Sequence, residues 1–594
     1  MSAGMCVNSP SAKNYSVHGV LTASDSVGDS DIQIITDIPL LPVPSGLAKP
    51  TDKLCDSCKA LELTPRDFVV SPGDDDRSER YGQMERLFGL VDDMKTKSAR
   101  CPLCRLVLRT LAPEMPDEKE EGGPFKVTFG WMTKRTRIPH PPSDDAPTIR
   151  IIMPGVRTQN GVPFFRSKSI FMPEIGILAN DAPTPYKSFC ARLIKSQIDF
   201  AMVRNWIDVC KTHHTLCAGM HPDLERDKPV NLAEDIPSLR MIDVVDSCIT
   251  LAPHDCKYVA LSYVWGQIDP RTILMSLKNN IAELGKSGAL LTSEHYDKIP
   301  LTIRDAMLVV KSIGMRYLWV DSLCIVQDDI GEGGSKMQAI AKMGLVYGAA
   351  ALTIMSIMGD ANTGLPGVRP GPMRNQIIEE IEPGFRLAFM PMHQYSLIAS
   401  TYSTRGWTYQ EFQFSRRKLM FVDGQIVYVC CMTSPCREDA VVEYQHTVPK
   451  GSNIYSSASN DIGAVSNILF EYTRRSLTNI TDIYHAISAF GVIFQRVIGA
   501  KLCHGVPDVF FDWFLLWQPR ALQSRRSGVT PSWSWSGWDG TSAPDMWDWY
   551  TSSITKIRQA QKTRTWIIWY QRKAHDSEEC IRVDNQNTTR RFIR

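Results

Sequence analysis

The stretch STRGWTYQEFQFSRRKLMF, Ser403 to Phe421, sets a carboxylate, Glu411, four residues after a tryptophan, Trp407. On a helix starting near Thr404, Trp407, Gln410, Glu411 and Phe414 share one face at i, i+3, i+4 and i+7 spacing. A carboxylate among aromatics loses water, which raises its pKa and suits it to proton transfer or to stabilising a developing cation. The competing use of the same residue is structural, an ion pair with Arg405, Arg416 or Arg417. A second polar set follows two apolar runs. Ser262 and Trp265 close YVALSYVW (Tyr258 to Trp265), and Asp321 and Ser322 directly follow YLWV (Tyr317 to Val320). Ligand groups in open α/β sheets gather at the carboxyl ends of strands, which makes these four residues pocket candidates. The plainer role for Asp321 is a helix cap or a loop-ordering acceptor. Cys324 has apolar neighbours and no histidine close in sequence, which marks it as core rather than nucleophile.

Cysteine pairs carry a different chemistry. Cys55-x-x-Cys58 and Cys101-x-x-Cys104 supply four thiolates, a set suited to structural, tetrahedral zinc. A further cluster, CKTHHTLC, holds Cys210, His213, His214 and Cys217, which could share a metal of their own or complete the earlier set. Buried cysteines packing as small hydrophobes are the alternative for both, and CPLCRLVLRTL reads as the start of an amphipathic helix. No positioned general base is visible near these cysteines, so a catalytic zinc is not expected. PSWSWSGWDG (Pro531 to Gly540) spaces three tryptophans with small residues; packing of a strand and turn accounts for it better than ligand stacking.

These residues must be held by elements. YVALSYVW reads as a buried strand closed by Gly266. PLTIRDAMLVVKSIG reads as a helix with a capping-box-like start at Thr302 and Asp305 and a C-terminal cap at Gly314. YLWV is a second strand, Lys336 to Tyr347 a second helix, and ALTIMSI a third strand. Strand, helix, strand, helix, strand predicts a parallel sheet flanked by helices. A cysteine-rich mixed region precedes it, with a polar break at 112–125 and a Pro-rich loop at IPHPPSDDAP. A mixed α/β region follows Phe421, beginning with QIVYVCC. The boundaries expected are a disordered tail at 1–50, the cysteine-rich region at 51–235, the α/β core at 245–415 and the C-terminal region at 416–594.

Bulk properties restrict the function. The 594 residues exceed one core, and a hydrophobic content of 43% with 22% charged residues is that of a globular protein. A formal net charge of +2 gives no global pull toward nucleic acid or acidic membranes. A zinc-dependent nucleic-acid binder is disfavoured, because no basic helix accompanies the cysteines. The longest apolar run, Gly344 to Met358, is too short to span a bilayer, and no secretory start is visible. The sixteen cysteines are therefore expected as reduced thiols in a cytoplasmic protein.

Four blocks together resemble the heterokaryon incompatibility (HET) domain family of filamentous fungi. They are YVALSYVWG, IPLTIRDAMLVVKSIGMRYLWVDSLCIVQDD, MGLVYGAAALTIMS and RGWTYQE, in the family's order, covering Tyr258 to about Phe412. The upstream cysteine pairs, SLRMIDV and PSWSWSGWDG also look like HET proteins. The resemblance implies an effector of programmed cell death in non-self recognition, acting with itself or with an incompatibility partner. The HET core is in turn remotely similar to TIR domains, a flavodoxin-like fold. WTYQE matches their Trp-Cys-x-x-Glu block, with Trp407 at the Trp, Thr408 in place of the Cys and Glu411 at the Glu. In enzymatic TIR domains that Glu supports cleavage of the nicotinamide–ribose bond of NAD⁺. The resemblance thus implies NAD⁺ as substrate and Glu411 as catalytic carboxylate, with Ser262, Trp265, Asp321, Ser322 and Trp407 around it. A non-enzymatic signalling or oligomerisation module is the alternative.

Overall fold

The computed structural model describes residues 40–71, 74, 81, 85–116, 123–135, 148–164, 173–183, 190–214, 217, 232–331, 333–431, 435–440, 462–498, 500–508, 511–526, 530–544, 570–572 and 580–582. Most of the expected tail and the whole Pro-rich loop lie outside them. Leu40, Leu41, Val43 and Leu47 pack against apolar clusters of the N-terminal region, so folded chain starts before Thr51.

Two sheets organise the chain. In order, β1 is Val69–Val70, β2 Arg86–Leu90, β3 Lys126–Arg135, β4 Thr148–Arg157 and β5 Glu174–Ile177. Next come β6 Arg240–Asp243, β7 Cys248–Leu251, β8 Tyr258–Ser262, β9 Tyr317–Trp319 and β10 Leu352–Ser356. The two sheets are completed by β11 Ile378–Glu382, β12 Phe385–Met390, β13 Arg417–Val422, β14 Gln425–Cys430 and β15 Cys436–Arg437.

The first sheet runs β11-β12-β5-β4-β3-β2, with β1 beside β4, and every pairing is antiparallel. Its buried residues Phe129, Ile151, Ile152 and Ile175 share one apolar cluster with Leu103, Leu106 and Val107 of the helix Pro102–Leu111. The hairpin β11–β12 comes from far downstream. The cysteine-rich region thus borrows two strands from the segment expected as α/β core, because their apolar residues Ile381, Phe385 and Leu387 complete its cluster.

The second sheet runs β15-β14-β13-β10-β8-β9-β6-β7. The four central strands, β13, β10, β8 and β9, pair in parallel. Hairpins flank them, so β14, β15, β6 and β7 all pair antiparallel. The expected sheet of parallel strands is therefore corrected to a mixed one, and antiparallel pairings predominate over the two sheets together. The strands β8, β10 and β13 are buried along their whole length, whereas β6, β9 and β7 are partly open to solvent at one end.

Helix Leu301–Ser312 buries Ile303, Ala306, Val309 and Val310 against this sheet. Gly314, at φ +79°, reverses the chain after it, a conformation that favours glycine. The capping box is not formed. The helix begins one residue earlier behind Pro300, the Thr302 hydroxyl donates to the Asp360 carbonyl, and Asp305 accepts from Leu365 N and pairs with Arg369. The second helix is two helices, Ser335–Ala341 and Met343–Ala349, interrupted at Lys342. Among the described residues, the C-terminal region has no apolar cluster of its own. Tyr472, Phe490, Phe494, Phe514 and Trp535 belong to the same buried cluster as β8, β9 and β10. No helix among the described residues is long and apolar enough to cross a membrane.

Candidate functional site

The helix carrying Glu411 spans Gly406–Phe414, two residues shorter at its start than periodicity predicts. Its first turn is tied to the preceding loop by Thr408, whose hydroxyl lies 2.5 and 2.9 Å from the carbonyls of Tyr402 and Arg405. Its last turn is tied to the sheet by Ser415, whose hydroxyl donates to the Glu411 carbonyl and contacts the Thr353 hydroxyl on β10, both at 2.7 Å. Gln410 and Phe414 are fully buried, and Gln410 accepts from Ala489 N at 3.1 Å. The helix is thus clamped at both ends, with Glu411 aimed at the end of β8.

There the Ser262 hydroxyl donates to Glu411 Oε2 at 2.5 Å. The Tyr402 hydroxyl lies 2.5 Å from the same Ser262 oxygen. With the Ser262 proton given to Glu411, Tyr402 must be the donor in its own contact, so a directed chain runs from Tyr402 through Ser262 to the carboxylate. Asp321 closes the other side, after β9. Its Oδ2 accepts from the Trp265 indole N–H at 2.9 Å, and its Oδ1 accepts from Ser322 N at 2.7 Å and from the Tyr263 hydroxyl at 3.3 Å. Tyr263 also reaches the Ser322 hydroxyl at 3.2 Å.

Ser262 and Ser322 are fully buried, while Glu411, Asp321 and Trp265 keep part of their surface in solvent. Burial is the main cause that pushes the Glu411 carboxyl up from its ordinary 4.5 to about 7. The Ser262 hydrogen bond opposes this, the Asp321 charge adds to it, and Arg405 and Tyr347 act against it. Burial also raises Asp321, against the Trp265 hydrogen bond. Glu411 and Asp321 thus stand near the ends of adjacent strands, each with its charge disfavoured by burial, and Glu411 exchanges its proton near neutral pH.

The ion pair considered for Glu411 is not made among the described residues. Arg405 donates to the Tyr263 carbonyl, Arg416 to the Ala350 carbonyl, and Arg417 to the Cys210 sulfur. Trp407 is turned toward the C-terminal region, where its indole N–H donates to Asp482 at 3.1 Å. Asp321 does serve as a loop-ordering acceptor. Tyr263, Tyr347 and Tyr402 went unnoticed in the sequence; the only available signal was the Tyr next to Ser262 in ALSYVW. Cys324 is buried with its thiol pushed up to about 12 by burial, as a core residue.

The thiols form two sets. Cys55, Cys58, Cys101 and Cys104 bring their sulfurs within 4.8 Å of one another. Cys55 and Cys101 each precede a short helix, and Cys58 and Cys104 lie in its first turn. Cys104 is 3.8 Å from Cys55 and 3.5 Å from Cys58. Zinc–sulfur bonds of about 2.3 Å at tetrahedral angles place sulfurs about 3.8 Å apart, so this donor set fits zinc. All four are free thiols. The second set comprises Cys210, His214 and Cys217 with Cys430, which the sequence did not suggest. The side chain of His213 lies outside the described residues.

Residues 258–411 match the family model for heterokaryon incompatibility protein (HET), spanning from the start of β8 to Glu411 itself. No curated protein and no solved structure matches the chain.

Proposed function

On the premise that this chain is a HET-domain protein, we propose that it is an effector of programmed cell death in fungal non-self recognition, acting by hydrolysis of the nicotinamide–ribose bond of NAD⁺. The observation that carries the reading is the Ser262–Glu411 hydrogen bond beside Asp321, at the carboxyl ends of adjacent parallel strands. The order β9-β8-β10-β13 supports a flavodoxin-like core, in which ligands bind where the strand order reverses, next to β8.

The chemistry needs few groups. The bond between the ribose anomeric carbon and the pyridinium nitrogen breaks with both electrons going to nitrogen. Nicotinamide then leaves neutral, with no general acid required. The ribose left behind is oxocarbenium-like, and a carboxylate at that position lowers its energy. Water supplies the new bond to the anomeric carbon and gives up a proton. Glu411 is the group for both tasks, cation stabilisation and proton acceptance, and Ser262 and Tyr402 fix its orientation. Asp321 holds the Trp265 indole at the rim. The Cys55, Cys58, Cys101 and Cys104 set would hold a structural zinc that shapes the N-terminal region and takes no part in the reaction.

The test is NAD⁺ loss and nicotinamide release by the purified protein. Wild type should consume NAD⁺, and Glu411→Ala should lower the rate by about 100-fold or more. Equal rates in both would remove Glu411 from the mechanism. A second reading, a non-enzymatic signalling or oligomerisation module, draws support from the burial of much of RGWTYQE, with Trp407 and Gln410 engaged by the C-terminal region. Sustained toxicity with unchanged cellular NAD⁺ would favour it.

A further inference from the structure

Cys210 lies in the last turn of the helix Phe200–His213, and His214 is its C-terminal cap. Their i, i+4 spacing places both on one face. The chain then turns, with Cys217 N donating to the His214 carbonyl at 3.0 Å, which carries a third ligand back to the same point. Cys430 reaches this point from the end of β14, with its sulfur 3.3 Å from His214 Nδ1. All four side chains are buried, and their ligand atoms lie within 4.8 Å of one another. Cys210 and Cys217 have no exposed surface at all.

We propose that Cys210, His214, Cys217 and Cys430 are the ligands of a second tetrahedral metal site, of the zinc class. It staples the segment preceding the HET domain to the edge of the domain's own sheet.

Three thiols and an imidazole at such separations are the donor set of a closed structural zinc site, with no place left for a water or substrate. Soft sulfur ligands select against magnesium and calcium, which take oxygen. The surroundings match the charge of such a site. Three thiolates, one neutral imidazole and a divalent ion carry a net charge of −1. Arg417 is buried beside it, and its Nε–H donates to the Cys210 sulfur at 3.1 Å. Arg416 donates to the Cys217 carbonyl at 3.4 Å. Outer groups of this kind orient ligands and balance metal–thiolate charge. A buried guanidinium facing sulfur is costly if the sulfur is a neutral thiol, and is compensated if it is a metal-bound thiolate.

The placement gives the site a consequence. Cys430 ends the strand that pairs with β13, and β13 directly follows the helix of Glu411. The metal would tie the helix Phe200–His213 to that sheet edge, linking sequence ahead of the family match to the frame of the candidate site. Its role is structural, and it stands whether or not the HET domain hydrolyses NAD⁺.

Metal analysis of the full-length chain, purified under reducing conditions, tests the site. Wild type should carry two equivalents of zinc, one for each thiol set. Cys430→Ser and His214→Ala should each lose one equivalent and keep the other, whereas Cys58→Ser should lose only the N-terminal one. Should those variants fail to fold, cobalt(II) titration of the metal-stripped wild type replaces them. Tetrahedral visible bands and sulfur-to-cobalt charge transfer should then saturate at two equivalents, not one. A Cys430→Ser chain that keeps the full wild-type metal content overturns the site. So does a wild-type chain whose cobalt bands saturate at one equivalent that Cys58→Ser abolishes. Loss of metal in Cys430→Ser with none lost in Cys58→Ser would uphold this site while removing the N-terminal one.

Discussion

The raised Glu411 carboxyl has a thermodynamic signature that does not depend on any substrate. A folded value of about 7 against an ordinary 4.5 means that the folded chain holds this proton more tightly than the unfolded chain does. The stability linked to that proton is fully present below pH 4.5 and is lost as pH rises through about 7. At about 1.4 kcal/mol per tenfold change, the full loss is about 3 kcal/mol, and most of it falls between pH 5 and pH 8. Glu411→Gln keeps the shape and an acceptor for Ser262 but never ionises. The variant should therefore be near wild type at pH 5 and more stable by about 2–3 kcal/mol at pH 8. Urea unfolding of both proteins at a series of pH values measures the gap, and titrations of groups that do not interact with Glu411 cancel in the difference. A gap that stays constant from pH 5 to pH 8 would refute the reasoning, because Glu411 would then ionise in the folded chain as it does in water. The proposed NAD⁺ hydrolysis pulls the other way. The ionised form needed to stabilise a cation is the one the fold disfavours, so NAD⁺ turnover should rise with pH through about 7 while stability falls.

Two further outcomes follow from packing. A Cβ at Gly344 would lie 2.4 Å from the Ala489 Cβ, so Gly344→Ala should force the helix Met343–Ala349 off the C-terminal region and cost about 1–3 kcal/mol by urea unfolding, despite alanine's better helix propensity; an unchanged midpoint would show that this contact is slack. Arg374 and Glu438 form a buried two-pronged pair at 2.5 and 2.6 Å, so Arg374→Met should cost about 3–5 kcal/mol by stranding Glu438, and Arg374→Met with Glu438→Leu should recover much of the loss.

What could be read from the chain follows the range of the forces that place each residue. The strands β8, β9 and β10 and the helix Leu301–Ser312 are legible because each is a local pattern: short apolar runs, a 3.6-residue period, a glycine where the chain must turn back. Ser262 and Asp321 were also locatable, since a polar residue just after a buried run marks a strand end. Partnership is a different matter. Ser262 and Glu411 are separated by 149 residues, and nothing local aims one at the other. That depends on Ser415 fixing the last turn of the helix to β10 and Thr408 fixing the first to the Tyr402 loop. The same holds for Cys430, invisible as a ligand in VYVCC until β14 is laid against β13, and for the hairpin β11–β12, whose alternation suits any antiparallel edge. Trp407 shows the reverse error. Helical spacing put it beside Glu411, but Asp482 offered its indole N–H a partner that no local pattern could reveal. The common cause is that buried polar groups are held by partners distant in sequence, because each needs a matching donor or acceptor wherever the fold can bring one. The residues most open to functional roles are therefore the ones whose settings a single sequence conceals best, and the clamp on the Glu411 helix, more than the carboxylate itself, is what the structure adds.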